Sequence, residues 1–190
     1  MEYNKRIYKP KQYFLFLEDA IYSFSDIKKS KKKNLVSYDF RERIMLAVTE
    51  VNGCPMCSYY HIKESMNAKI SKEEIKELLN GEENAIPSSQ MKGILFAKYY
   101  ADNKGVVEKD MWQKLVEEYG SEKAKAILGF IRMIMVGNVS GIALGALGGR
   151  FKNKRVKNSQ LKNELVIIIG TALFIPIILI KNIFNKRELF

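Results

Sequence analysis

Cys54, Cys57 and His61 fall within one eight-residue stretch, and the chain has no other cysteine and no other histidine. Glu50 lies one turn earlier. At helical spacing Glu50, Cys54, Cys57 and His61 follow at i, i+4, i+7 and i+11, a single stripe on one helix face. A dithiol beside an imidazole and a carboxylate is equipped for thiol redox chemistry. Cysteine attacks as its thiolate, and an ordinary thiol, with a pKa of about 8.5, is mostly protonated at neutral pH. Pro55 suits the first position of a helix, which puts Cys54 at the N-cap, facing free backbone amides and the positive end of the helix dipole. His61 stands one turn beyond Cys57 and is placed to take its proton. A carboxylate would then hold the imidazole in the right tautomer and restore its proton. Glu50 is near in sequence, but Asn52-Gly53 stops its helix. Glu42, twelve residues before Cys54, reaches the site if the two helices fold over one another. Once one thiolate has attacked a peroxide or a disulfide, the second resolves the product into a disulfide, which an external dithiol must reduce.

The same residues admit other chemistry. Two thiolates, an imidazole and a carboxylate would make four zinc ligands, but structural zinc sites usually draw on two separated elements and these ligands share one helix. Two buried, inert thiols are the plain structural alternative. Cys-Pro-Met-Cys in a thioredoxin fold would need a strand before the motif, and the sequence offers none. The expected catalytic set is Cys54, Cys57, His61, Glu50 and Glu42, with no metal and no cofactor.

Helices must position these residues. Tyr13 to Ile27 is amphipathic and aromatic, and the Lys28–Lys33 run after it reads as a solvated loop. Tyr38 to Val51 ends at Asn52-Gly53. Ser71-Lys-Glu-Glu74 fits a capping box, and its helix runs to Asn80-Gly81. Pro87 opens the next, which ends near Asn103-Lys104-Gly105. Val107–Tyr119 and Glu122–Val136 follow, parted by Gly120-Ser121. Period-two strands are missing, so the expected fold class is all-α. Tyr59 and Tyr60 could line a substrate pocket but, like Trp112, Met91, Met111, Met133 and Met135, read first as core. Arg132, in an apolar stretch, reads as an ion-pairing or snorkelling residue.

Beyond Val136 the composition changes. Gly137, Gly141, Gly145 and Gly149 make overlapping GxxxG spacings, which read as a packing seam or glycine-rich turn ahead of a membrane dimer face. Leu165–Ile180 is free of charge and would span about 24 Å as a helix, short of a hydrocarbon core of about 30 Å. It is expected to be either a C-terminal membrane anchor, with Lys181 snorkelling and Ile183-Phe184 extending the apolar surface, or the buried core of a homo-oligomer. Arg150, Lys152, Lys154, Arg155, Lys157 and Lys162 precede it, and Lys181, Lys186 and Arg187 follow, a bias that keeps the body cytoplasmic. Net charge of +11 fits an anionic membrane surface; no nucleic-acid-binding motif accompanies it. The N-terminal Met1-Glu-Tyr-Asn-Lys-Arg lacks a signal-peptide pattern, and two cysteines three apart suit a reducing compartment.

The run Arg41-Glu-Arg-Ile-Met-Leu-Ala-Val-Thr-Glu-Val-Asn-Gly-Cys54-Pro-Met-Cys57-Ser-Tyr-Tyr-His61 closely resembles the core motif of the alkylhydroperoxidase D-like branch of the carboxymuconolactone decarboxylase family. The resemblance covers Phe40–Gly81 and continues more weakly to Asn138. It implies an alkylhydroperoxidase D-like helical bundle that assembles as a homo-oligomer. It also implies peroxidase or disulfide-reductase activity by Cys54 and Cys57, with His61 and a glutamate as proton relay. Glu42 matches the relay glutamate in its distance before the first cysteine, and Glu50 matches the acidic position of the ExxxCxxCxxxH variant. The external reductant implied is a lipoyl or thioredoxin-type dithiol. Decarboxylase members lack the cysteine pair, which points away from lactone decarboxylation. Met56 departs from the polar residue or histidine frequent in the peroxidases. The expected organisation is a helical domain at 1–138, a Gly-rich basic linker at 139–162 and an apolar C-terminal helix at 163–190. The competing reading is a membrane-tethered interaction protein that keeps the fold without catalysis.

Overall fold

Every regular element in the computed structural model, which describes residues 6–82 and 84–184, is a helix, as the sequence predicts. In chain order they are α1 (Pro10–Tyr22), α2 (Phe24–Lys33), α3 (Tyr38–Asn52), α4 (Pro55–Asn67), α5 (Lys72–Leu79), α6 (Ser88–Asp102), α7 (Lys109–Phe151) and α8 (Leu161–Phe184). The side chains beyond Lys181, including Ile183, Phe184, Lys186 and Arg187, and residues 1–5 lie outside that description.

At the centre stands α3. Phe40, Ile44, Leu46, Ala47 and Val48 are all buried, so apolar side chains surround the helix and neighbours must cover every face. Those neighbours are α4, α5, α6 and α7. Arg43, itself buried, ties three of the elements together: it donates to Asp39 on its own helix, to Glu74 of α5, and to Gln90 of α6 at 3.1 Å. Ser71 caps α5, its hydroxyl accepting the Glu74 N–H at 3.1 Å, while the Glu74 carboxylate is engaged by Arg43.

Three boundaries differ from the sequence reading. Tyr13–Ile27 is two helices, bent at Ser23, and the lysine run belongs to the last turns of α2, which stops at Asn34 in a left-handed conformation. Lysines near a helix C-terminus complement the dipole, which favours helix over loop. Gly120 interrupts α7, as the sequence suggests, but the helix then continues through Gly137–Gly149 to Phe151. The linker drawn from 139 therefore shrinks to the residues between α7 and α8. Its glycines stay helical because Val139, Ile142, Ala143 and Ala146, interleaved with them, are buried.

The C-terminal helix lies along α1 and α7 with one face covered and the other open. Arg150 grips Glu164 with two hydrogen bonds of 2.7 and 2.8 Å, Tyr13 and Thr171 share one of 2.6 Å, and Lys181 reaches the buried Glu18 at 2.6 Å. Both α7 and α8 are long and apolar enough to cross a membrane; most of the apolar stretch of α7 is buried in the fold, and most of that of α8 is not. Trp112 and Met135 are core, Met91 and Met111 line it, and Met133 is exposed. Arg132 is buried and donates to the Ser23 hydroxyl at 3.0 Å, an internal contact in place of a snorkelling one.

Candidate active site

Gly53 closes α3 in the left-handed region (φ +66°), where a side chain is strained, and this tight turn delivers Cys54 directly to the start of α4. Cys54 takes the N-cap with extended backbone, Pro55 follows at the first helical position, and the Cys57 N–H donates to the Cys54 sulfur at 3.3 Å. Cys54 and Cys57 are joined as a disulfide, with their Cα atoms 5.3 Å apart. Cys54 is fully buried, whereas Cys57 is half-buried and stands toward solvent.

The break at Gly53 also dissolves the single stripe read from the sequence. Glu50 ends on the far side of that turn: its carboxylate lies beside Gly81, with Lys98 and Arg6 in its electrostatic surroundings, and burial pushes its pKa up against their pull. Among the described residues it is not bonded to His61. Glu42 is: its Oε2 is 2.8 Å from His61 Nδ1. This pair is nearly closed to water, with side-chain exposures of 3% for Glu42 and 12% for His61. Folding α4 back over α3 therefore selects Glu42 between the two carboxylates. With Nδ1 bonded to a carboxylate, the network assigns its proton there and leaves Nε2 as the nitrogen that exchanges.

Glu42 is braced from behind. Its other oxygen accepts from Arg41 Nε at 3.0 Å, and the Arg41 guanidinium stacks 4.7 Å over the Tyr38 ring. Tyr38 in turn donates to Glu64 at 2.6 Å, a bond that raises its pKa to about 12. Arg41 and Tyr38 were not among the sequence-derived candidates; the adjacency of Arg41 to Glu42 is the only signal the chain carries for them.

Helix α7 supplies the wall that sequence reasoning missed. The Cys57 sulfur lies 3.6 Å from the Gly137 carbonyl oxygen. A Cβ at Gly141 would stand 2.7 Å from the Cys54 sulfur and 3.0 Å from that of Cys57, so the bare helix backbone packs on both. Thr49 of α3 donates to the buried Asn138 at 3.0 Å and fixes α7 in this position. Tyr59 and Tyr60, expected in the core, are 80% and 58% exposed, Met56 beside them is exposed too, and the Tyr60 ring stands edge-on to His61 at 5.1 Å. Among the described residues no three His, Cys, Asp or Glu side chains converge as a metal site.

Fold and site together define an all-helical protein with a vicinal cysteine pair at a helix start and a histidine–glutamate pair one turn on. Residues 22–86, about a third of the chain, match the model of the carboxymuconolactone decarboxylase family. The matched segment runs from the end of α1 to the turn after α5 and so contains Glu42, both cysteines and His61. No curated protein and no solved structure matches the chain.

Proposed function

We propose that the Cys54–Cys57 pair cycles between dithiol and disulfide and reduces a peroxide or a disulfide substrate, as an alkylhydroperoxidase D-like oxidoreductase. The observation that carries this reading is the 2.8 Å bond between His61 and the buried Glu42, one helical turn beyond a half-buried cysteine. In the reduced form His61 takes the Cys57 proton through Nε2 while Glu42 stabilises the imidazolium. The Cys57 thiolate attacks one peroxide oxygen, forming an S–O bond as the O–O bond breaks, and the leaving alkoxide takes the proton back from His61 to depart as an alcohol. Cys54 then attacks the sulfenic sulfur, water leaves, and the disulfide forms. An external dithiol reduces it by exchange through a mixed disulfide and is itself oxidised to a disulfide. Cys57 is the attacking residue on grounds of access, since Cys54 is sealed under α7.

The test is a thiol titration of the reduced protein before and after one equivalent of peroxide, with intact mass recorded. Loss of two thiols and two hydrogens supports the cycle, and Cys57→Ser should abolish peroxide turnover. Two thiols that stay unreactive overturn the reading.

A further inference from the structure

The inner face of α8 is fully engaged by the body. Glu164, Ile167, Thr171, Phe174, Ile178 and Lys181 follow one another along it, each buried, bonded or packed against α1 or α7. The outer face presents Leu165, Ile169, Leu173, Ile177 and Ile180, between 39% and 60% exposed and without a charged residue among them. Such a contiguous apolar strip on a surface marks an interaction site. The turn that leads into α8 adds Phe151, 83% exposed, and Leu161, 47% exposed. Around these two stand Lys152, Lys154, Arg155, Lys157 and Lys162, all exposed.

From this arrangement we infer that the outer face of α8 and the 151–162 turn dock on a lipid bilayer surface that carries anionic headgroups. The charge pattern decides between this occupant and a second copy of the chain. The sole carboxylate of α8, Glu164, is buried and satisfied by Arg150. Two copies paired through α8 would bring basic turn against basic turn in parallel, or basic turn against Lys181 in antiparallel. Neither pairing offers an exposed acidic partner on this face. An anionic headgroup layer offers one at every cation, at about 1 kcal/mol each, while the apolar strip enters the boundary of the acyl chains to a depth of about 5–10 Å. The helix lies on the membrane instead of crossing it. A crossing would strip the Arg150–Glu164, Tyr13–Thr171 and Lys181–Glu18 bonds from the body or carry Glu18 and Lys181 into hydrocarbon. This inference stands apart from the thiol chemistry, since none of these residues touches the sulfurs.

Flotation of the full chain with phosphatidylcholine vesicles, with and without phosphatidylserine, tests it. The protein should float with the mixed vesicles and stay behind with phosphatidylcholine alone, and added salt should weaken binding. Replacing Lys154 and Lys157 by Gln should cost about fivefold each in the partition coefficient. Combining Ile169→Gln, Leu173→Gln and Ile177→Gln should abolish flotation while helix content and peroxide turnover persist. Equal flotation with both vesicle types overturns the charge argument. No flotation, with a dimer that the same triple variant dissociates, assigns the face to a second copy. A C-terminal tag protected from protease on sealed vesicles shows a crossing and also overturns the proposal.

Discussion

Gly141→Ala isolates the contact between α7 and the sulfurs. The new methyl carbon would lie 2.7 Å from the Cys54 sulfur and 3.0 Å from the Cys57 sulfur, about 1 Å inside ordinary van der Waals contact. The sulfurs have little room to retreat, because Cys54 is fully buried and its sulfur accepts the Cys57 N–H. Overpacking of this kind costs about 1–3 kcal/mol. Alanine returns about 0.5–1 kcal/mol in helix propensity, leaving a net loss of up to about 2.5 kcal/mol. For a chain of this size that is a fall of up to about 10 °C in Tm. Gly145→Ala is the internal control: it sits one turn on in the same helix, and a Cβ there meets nothing within 4 Å. It should gain the propensity term alone and raise Tm by about 1–4 °C. Thermal unfolding followed by circular dichroism gives both numbers, and the rate of disulfide reduction by dithiothreitol reports on the site. If both variants shift Tm upward alike, α7 does not rest on the sulfurs and the argument is wrong.

Glu42→Gln keeps the shape of the relay and removes its charge, so peroxide-dependent thiol loss should slow by about 10²-fold or more, while Glu50→Gln should stay within about twofold of the parent; equal effects would place both carboxylates, or neither, in the relay. In the reduced protein a bulky maleimide should label Cys57 well before Cys54, read by peptide mass, because Cys54 has no exposed surface. Asp39 supplies a pH dependence. Burial works to raise its pKa, but hydrogen bonds from Ser37, Gln90 and Arg43 prevail and hold it at about 2, below its ordinary 3.8. A depressed carboxylate stabilises the fold above its unfolded pKa, and that contribution is lost as pH falls from about 4 toward 2. With a third of the side chain exposed, the effect is about 1 kcal/mol. Urea midpoints across this range should fall, and Asp39→Asn should flatten the decline.

How much of this was legible in the chain depends on whether the cause was local. The N-cap at Cys54, the stop at Gly53, the Ser71 cap and the break at Gly120 each follow from one or two residues with special backbone demands, and each is legible in the sequence. Choosing Glu42 over Glu50 was a question of how two helices fold over one another. Spacing alone ran straight through Gly53 and kept both. Tyr59 and Tyr60 read as core because aromatics usually are; nothing in the sequence says that α4 turns this side outward. Arg41 and Tyr38 matter only through Glu42, a contact no pattern of spacing encodes.

The glycine run shows the same limit from the other side. Its regular spacing suggests a packing seam or a glycine-rich turn ahead of a membrane dimer face. In the fold the glycines do separate things. Gly141 admits the two sulfurs, Gly145 faces open space, and Gly149 makes room for the backbone carbonyl of Lys154 as the chain turns toward α8. A GxxxG dimer face would need all of them on one partner. Here the fold itself occupies Gly141 and Gly149, so the motif is internal: it seats the dithiol at one point of α7 and the basic turn at another. That division leaves α8, and not the glycine face of α7, as an apolar surface uncovered among the described residues.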